Sequence, residues 1–224
     1  MKVTATDSDE KTADGDGYGD VGYFLTHEFF KIDQKTGEIS VKKALDRETS
    51  TEYSFMVTAE DGGGKKLTGE RFNDAKVEVT IKIDDVNDNA PIFLPAPSEI
   101  SVLENAKVGE TAKIFQVRDL DEGKNGEVTF EVTGDGAKFF GVRAEIDPAS
   151  PAGVTWTNAV LYPKIPLDYE TKNIHSLKIK ARSSQAYEGI KKESIIEPEI
   201  DLLVRIGNVN EPPKFEKDVF LFEG

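Results

Sequence analysis

Residues 84–93 read DDVNDNAPIF, three aspartates and two asparagines set directly before Ala-Pro. A solvated turn needs one or two such residues. Five of them, followed by Pro91, put many oxygen donors on a stiffened backbone. Oxygen-only donors at alternating positions suit a hard cation, and calcium takes six to eight of them at roughly 2.3–2.6 Å. More acidic residues recur in short motifs: Asp46 and Glu48 in ALDRET (44–49), Asp119 and Asp121 in QVRDLD (116–121), Asp168 and Glu170 in PLDYET (166–171). Other chemistry lacks its parts. There is no cysteine, and His27 and His175 lie far apart, so thiolate zinc sites and nucleophile–base triads are not available. Nothing suggests a substrate cleft between Asp46 and Glu48 of the kind a glycosidase pair needs. The segment DGDGYGD (14–20) imitates an EF-hand loop, with Asp14 at position one and Gly19 at six. Leu25, however, falls where the bidentate Glu belongs, so it reads as an acidic inserted loop.

The elements that must position these groups are strands. Segments 52–61 (EYSFMVTAED), 75–84, 110–117, 126–132, 176–183 (SLKIKARS) and 199–206 (EIDLLVRI) alternate apolar and polar residues, with Gly- and Asp-rich clusters between them. No window of helix length holds an apolar stripe. The chain has 224 residues, 38% hydrophobic with 13 Phe, which suffices for packed cores in one large or two smaller domains. A net charge of −14 argues against nucleic acid and anionic membrane surfaces as partners. No apolar run approaches spanning length, and the residues after Met1 are no signal peptide. The absence of cysteine is neutral about compartment, and there is no N-x-[ST] acceptor.

The motifs come twice, in the same order and at nearly the same spacing: TATDSD (4–9) with QVRDLD, ALDRET with PLDYET, DDVNDNAPIF with GNVNEPPKF (207–215), and SVLENA (101–106) with FLFEG (220–224). About seven short strands per copy indicates an all-β chain of two tandem Greek-key β-sandwiches.

Together LDRE, DVNDNAPIF, LEN and DLD resemble the cadherin superfamily, and the resemblance covers essentially the whole chain. It implies seven-stranded, immunoglobulin-like repeats with calcium ions, usually three, between them. The implied division is a first repeat over 1–88 that lacks its N-terminal strand, a second over 89–211, and the start of a third over 212–224. In such a joint, Asp46, Glu48 and Asp88 would hold the outer ions. Asp85 and the Val86 carbonyl would join at the middle ion. Asn87, the Asn89 carbonyl, Asp119, Asp121 and the Asn125 carbonyl would cage the inner one. A weaker set at the second linker would be Glu104, Asp168, Glu170, Asn208, Val209 and Glu211.

Departures from the pattern sharpen these expectations. Ser183 stands where the first repeat has Asp61, which weakens the expected inner site, and Asn208 and Glu211 replace aspartates of the linker motif. Asp7, Asp9 and Asp61 would serve a joint upstream. Residues 143–164 read as an extra loop, with Trp156 at a core or half-buried strand position rather than an interface anchor. The tail KFEKDVFLFEG (214–224) resembles a first strand, with Glu223 matching Glu104. The resemblance implies a calcium-dependent adhesive and structural module, not an enzyme, extracellular within the ectodomain of a single-pass plasma-membrane protein. Its partners would be other cadherin molecules, homophilic or heterophilic, with no membrane insertion of this segment itself. The alternative is a receptor segment that binds a heterologous protein ligand.

Overall fold

A computed structural model describes residues 1–11, 13, 18–62, 73–188 and 197–213. The EF-hand-like loop falls largely outside these residues, and the tail 214–224 falls wholly outside them. The chain divides into two compact units, Met1–Asp85 and Val86–Gly224.

In the first unit, β1 (Gly22–Phe24), β4 (Glu52–Glu60) and β5 (Asp74–Lys82) form one antiparallel sheet in the order β1-β4-β5. β2 (Phe30–Ile32) and β3 (Ile39–Val41) form a hairpin. The N-terminal residues run beside β3, with a bridge between Lys2 and Glu38 and the Val3 amide donating to the Gly37 carbonyl at 3.0 Å. Gly37 is required there. Its φ is 71°, and a Cβ would meet the Val3 carbonyl oxygen at 2.3 Å. Alternation along β4 turns Phe55 and Val57 inward, where they meet Phe30, Ile39 and Val79. His27, Phe29, Phe30, Tyr53 and Phe55 form a ring cluster with centroids 5.0–6.2 Å apart.

The second unit is a two-sheet sandwich. One sheet has the order β10-β11-β8-β6, from β6 (Ile92–Phe93), β8 (Lys113–Asp119), β10 (Phe140–Ile146) and β11 (Thr155–Pro163). The other has the order β7-β13-β12-β9, from β7 (Glu99–Leu103), β9 (Val128–Thr133), β12 (Ile174–Ser183) and β13 (Glu199–Gly207). All pairings are antiparallel except β13 with β7, which is parallel. The expected first strand is divided: Pro95 and Pro97 cannot donate to a ladder, so β6 joins one sheet and β7 the other. β12 alternates strictly, burying His175, Leu177, Ile179 and Ala181 against Phe115, Val117, Phe140, Leu161 and Leu202. Its outward residues build cross-strand ion pairs, Lys178 with Glu199 at 2.6 Å and Arg182 with Glu131 at 2.7 Å.

One expectation is corrected. Residues 143–164 are not a loop. Most of them belong to β10 and β11, a hairpin in register from Phe140↔Pro163 to Ile146↔Thr157. β11 then pairs β8 through Trp156↔Arg118, with Trp156 half-buried on the strand. Compared with the three-residue strands β2 and β3, the second unit has lengthened its hairpin and kept it folded.

Candidate metal centre

At the end of the second unit where β8 and β12 finish, seven of the expected residues come together by side chain or backbone. Asp119 is the last residue of β8, and its Oδ1 accepts the Asp121 amide at 3.0 Å. This local turn follows from the DLD spacing. Asp121 Oδ2 accepts the Asn89 amide at 3.1 Å and Oδ1 accepts Asn89 Nδ2 at 2.6 Å, while Asn89 Nδ2 also reaches Asp88 Oδ1 at 2.8 Å. The Val86 carbonyl accepts the Asp88 amide. Asn87 donates Nδ2 to Ser183 Oγ at 2.8 Å and to the Ala186 carbonyl at 3.3 Å. Ser183 in turn donates to the Asn125 carbonyl at 3.4 Å. Gly126 lets that loop close over the site, since a Cβ there would lie 2.3 Å from the Asp121 carbonyl oxygen.

The chemistry of this donor set fits calcium. Asp119 and Asp121 have no exposed surface, and Asn87 is 1% exposed. With its Nδ2 engaged, Asn87 Oδ1 is buried and has no hydrogen-bond partner among the described residues. Leaving such an acceptor unsatisfied costs about 1–3 kcal/mol, and burying carboxylates is costly unless they are paired or coordinated. A hard cation would use all three groups.

The opposite end of the same unit gathers the second predicted set. Glu104, Asp168 and Glu170 bring carboxylate oxygens within 4.8 Å of one another. Glu104, placed at the end of β7, is buried, and its carboxylate accepts the Tyr169 amide at 2.9 Å and the Val209 amide at 2.5 Å. Asp168 accepts both the amide and the hydroxyl of Thr171, and Asn208 donates to Glu170 at 3.0 Å. Glu211 is exposed.

In the first unit, Asp46 repeats the Asp168 arrangement with Thr49, whose hydroxyl and then amide hold the Asp46 carboxyl below the usual carboxylate range. Glu48 and Asp85 are joined by a residue sequence reasoning missed. Arg47 is 6% exposed, with Nη2 at 2.5 Å from Glu48 Oε1 and Nε on Asp85 Oδ1. Its only signal in the sequence was its place inside LDRE, where the second copy has Tyr169.

The cadherin-domain family matches residues 1–84 and 98–197. The chain is a cadherin-family protein. Human Cadherin-20 is 30% identical over all of this chain, and human Cadherin-18 is 28% identical. The chain spans 27% of the length of each. The human Desmocollin-1 ectodomain superposes with a TM-score of 0.73 at 24% identity, covering 96% of this chain and 39% of that one, which supports the β-sandwich fold. Cadherin domains are adhesion-type modules rather than enzymes, and calcium binding is typical of them.

Proposed function

We propose that this cadherin segment is a calcium-dependent adhesion and structural module of an extracellular ectodomain. In it, calcium stiffens the linker around residues 84–89. The ligands are Asp46, Glu48, Asp85, the Val86 carbonyl, Asn87, Asp88, the Asn89 carbonyl, Asp119, Asp121 and the Asn125 carbonyl. A weaker set is Glu104, Asp168, Glu170, Asn208, the Val209 carbonyl and Glu211. The observation that supports this best is the buried oxygen cluster of Asn87, Asp119 and Asp121, with Asn87 Oδ1 unbonded among the described residues.

Calcium, when bound, supplies positive charge to a joint rich in carboxylates. Two carboxylates ~4 Å apart repel by about 4 kcal/mol at an effective dielectric near 20. The chain's own residues prepare the site: Ser183 orients Asn87, Asn89 holds Asp121, and Arg47 keeps Glu48 and Asp85 together. The parent is a single-pass plasma-membrane protein that meets other cadherin molecules, homophilically or heterophilically. Thermal melting and small-angle scattering in millimolar calcium and in chelator test this reading. Extracellular calcium modules bind at roughly 10⁻⁴–10⁻³ M, and an ion at ten times its dissociation constant adds about 1.4 kcal/mol per site. The melting temperature should rise and the particle lengthen in calcium, and superimposable curves refute the reading.

A further inference from the structure

Residues 46–50 of the first unit and 168–172 of the second make the same turn. In each, the carbonyl of the opening aspartate accepts the amide four residues on, Ser50 at 3.0 Å and Lys172 at 3.0 Å. Its carboxylate holds the threonine three residues on. The residue after the aspartate differs. It is Tyr169 in the second unit, half-buried and packed against the apolar core, and Arg47 in the first. A neutral ring satisfies the packing at this position, so the guanidinium answers to something else.

Arg47 is buried, and a buried cation is costly unless it is paired. Its partners are Glu48, the next residue on the turn, with Nη2 at 2.5 Å from Oε1, and Asp85, reached by Nε. Backbone pairing brings Asp85 there. The Ile83 amide, just past β5, donates to the Thr51 carbonyl at 2.9 Å, which lays the end of β5 beside the turn. The side chains of Glu48 and Asp85 keep only 21% and 13% of their surface exposed, so water screens the three charges weakly. Both carboxylates belong to the proposed calcium ligand set, and one guanidinium cancels only part of their charge. The equivalent turn of the second unit handles its buried acid differently: Glu104 takes the amides of Tyr169 and Val209.

We propose that Arg47 is an internal counter-cation that stands in for calcium. It neutralises Glu48 and Asp85 when no ion is bound, and it competes with the ion for them when one is. This role rests on the calcium reading and deepens it. Calcium affinity follows the charge count of the ligands, so the guanidinium lowers the affinity these two carboxylates can contribute while holding the first unit together without the ion. Each cation lessens the need for the other, and their effects on stability are less than additive.

Calcium calorimetry and amide exchange along β4 and β5, on the full chain in chelator and in saturating calcium, test this. The variants are Arg47→Tyr, which copies the second unit, and Arg47→Lys, which keeps the charge but not the planar fork. In chelator Arg47→Tyr should speed exchange about hundredfold or more, because it removes one partner of a buried ion pair. In calcium the same substitution should speed it less than about tenfold, and reciprocity then requires Arg47→Tyr to bind calcium about tenfold more tightly than the wild type. Arg47→Lys should lie between the two in both measurements. Adding Asp85→Asn to Arg47→Tyr removes a stranded charge and should recover most of the lost protection in chelator, which separates a charge effect from a misfolded turn. A penalty as large in calcium as in chelator overturns the proposal. So do unchanged exchange in chelator, weaker calcium binding by Arg47→Tyr, and a loss that Asp85→Asn does not recover. Wild-type exchange and calorimetry that ignore calcium would refute the calcium reading itself, whereas a calcium-responsive wild type matched by Arg47→Tyr refutes only the role of Arg47.

Discussion

Asp7 and Asp119 do the same local work. Each accepts the amide two residues on, Asp9 at 2.9 Å in the first unit and Asp121 at 3.0 Å in the second. Asp46 and Asp168 are likewise alike, each holding the threonine three residues later by amide and hydroxyl. The environments differ. Asp9 is exposed and Asp7 half-buried, whereas Asp119 and Asp121 have no exposed surface, because Asn89 lies on Asp121 and the Gly126 loop closes over it. The motif sets the turn, and the covering segment turns the same carboxylates into a shielded donor set. The cores differ in the same way: in the second unit β6 and β7 pack on the equivalent strands, and among the described residues the first core is the smaller.

Core truncation should show this difference most strongly. Leu202 and Val79 hold corresponding places on β13 and β5, at 2% and 7% exposure. Leu202→Ala should cost about 2–5 kcal/mol. Val79→Ala, in the smaller of the two described cores, should cost about 1–2 kcal/mol, nearer the ordinary range for point mutants. Chemical denaturation followed separately by Trp156 fluorescence and far-UV circular dichroism measures both. Equal losses would mean that the two cores contribute alike despite their different size.

The next test concerns the matched aspartates. Asp121→Asn should lower calcium affinity at least tenfold by calorimetry, while Asp9→Asn should leave it within twofold. In chelator the order should change: Asp121→Asn removes a buried anion and should cost little or nothing. A substitution equally harmful with and without calcium would mark Asp121 as a purely structural group.

Much of this was legible beforehand because half-buried antiparallel strands write their burial as alternation. β4, β5, β8, β9, β12 and β13 all fall within the expected segments or a few residues beyond them. The misread hairpin has a physical cause. β11 buries Ala159, Val160 and Leu161 in succession, which breaks the period of two, and Pro151 and Gly153 make its turn look like loop. The division of the first strand was hidden because a proline pair signals a break without saying that the chain resumes in the opposite sheet. Of the expected donors, Asn87, Asn89, Asp119, Asp121 and Asn125 lie together with Asp88 and the Val86 carbonyl. The buried role of Arg47 was invisible, since an arginine inside an acidic motif reads as solvated.

Ser183 offers a finer test of the same pairing, since its counterpart in the first unit is Asp61, whose Oδ2 accepts the Asn73 amide at 3.1 Å. Ser183→Asp places a carboxylate beside Asn87 Nδ2 and the inner donor set. Calcium affinity at that site should rise several-fold, and stability in chelator should fall through repulsion with Asp119 and Asp121. Unchanged affinity would show that the β12 end is too distant to contribute a ligand.

The smallest expected effect comes from the histidines. His27 in the first unit is partly open and accepts the Phe29 amide at 3.2 Å through Nδ1. His175 in the second is 1% exposed, packed against Phe139 with ring centroids 4.3 Å apart, and its Nδ1 has no hydrogen-bond partner among the described residues. Burial first, and then the positive charge of Lys172, push the His175 pKa below its ordinary value of 6.5, against an opposing pull from Asp135. The unfolded chain therefore takes up this proton at a higher pH than the folded one. Above about pH 7 both forms are neutral and the group is silent; as pH falls through about 6.5 the unfolded state gains the proton first and stability declines. The decline ends once the pH passes below the lowered folded value. His175→Gln keeps a neutral polar side chain and should flatten the melting temperature between pH 7.5 and 5.5, at the cost of the ring contacts with Phe139 and Phe140. A slope that survives His175→Gln would place the titrating group elsewhere.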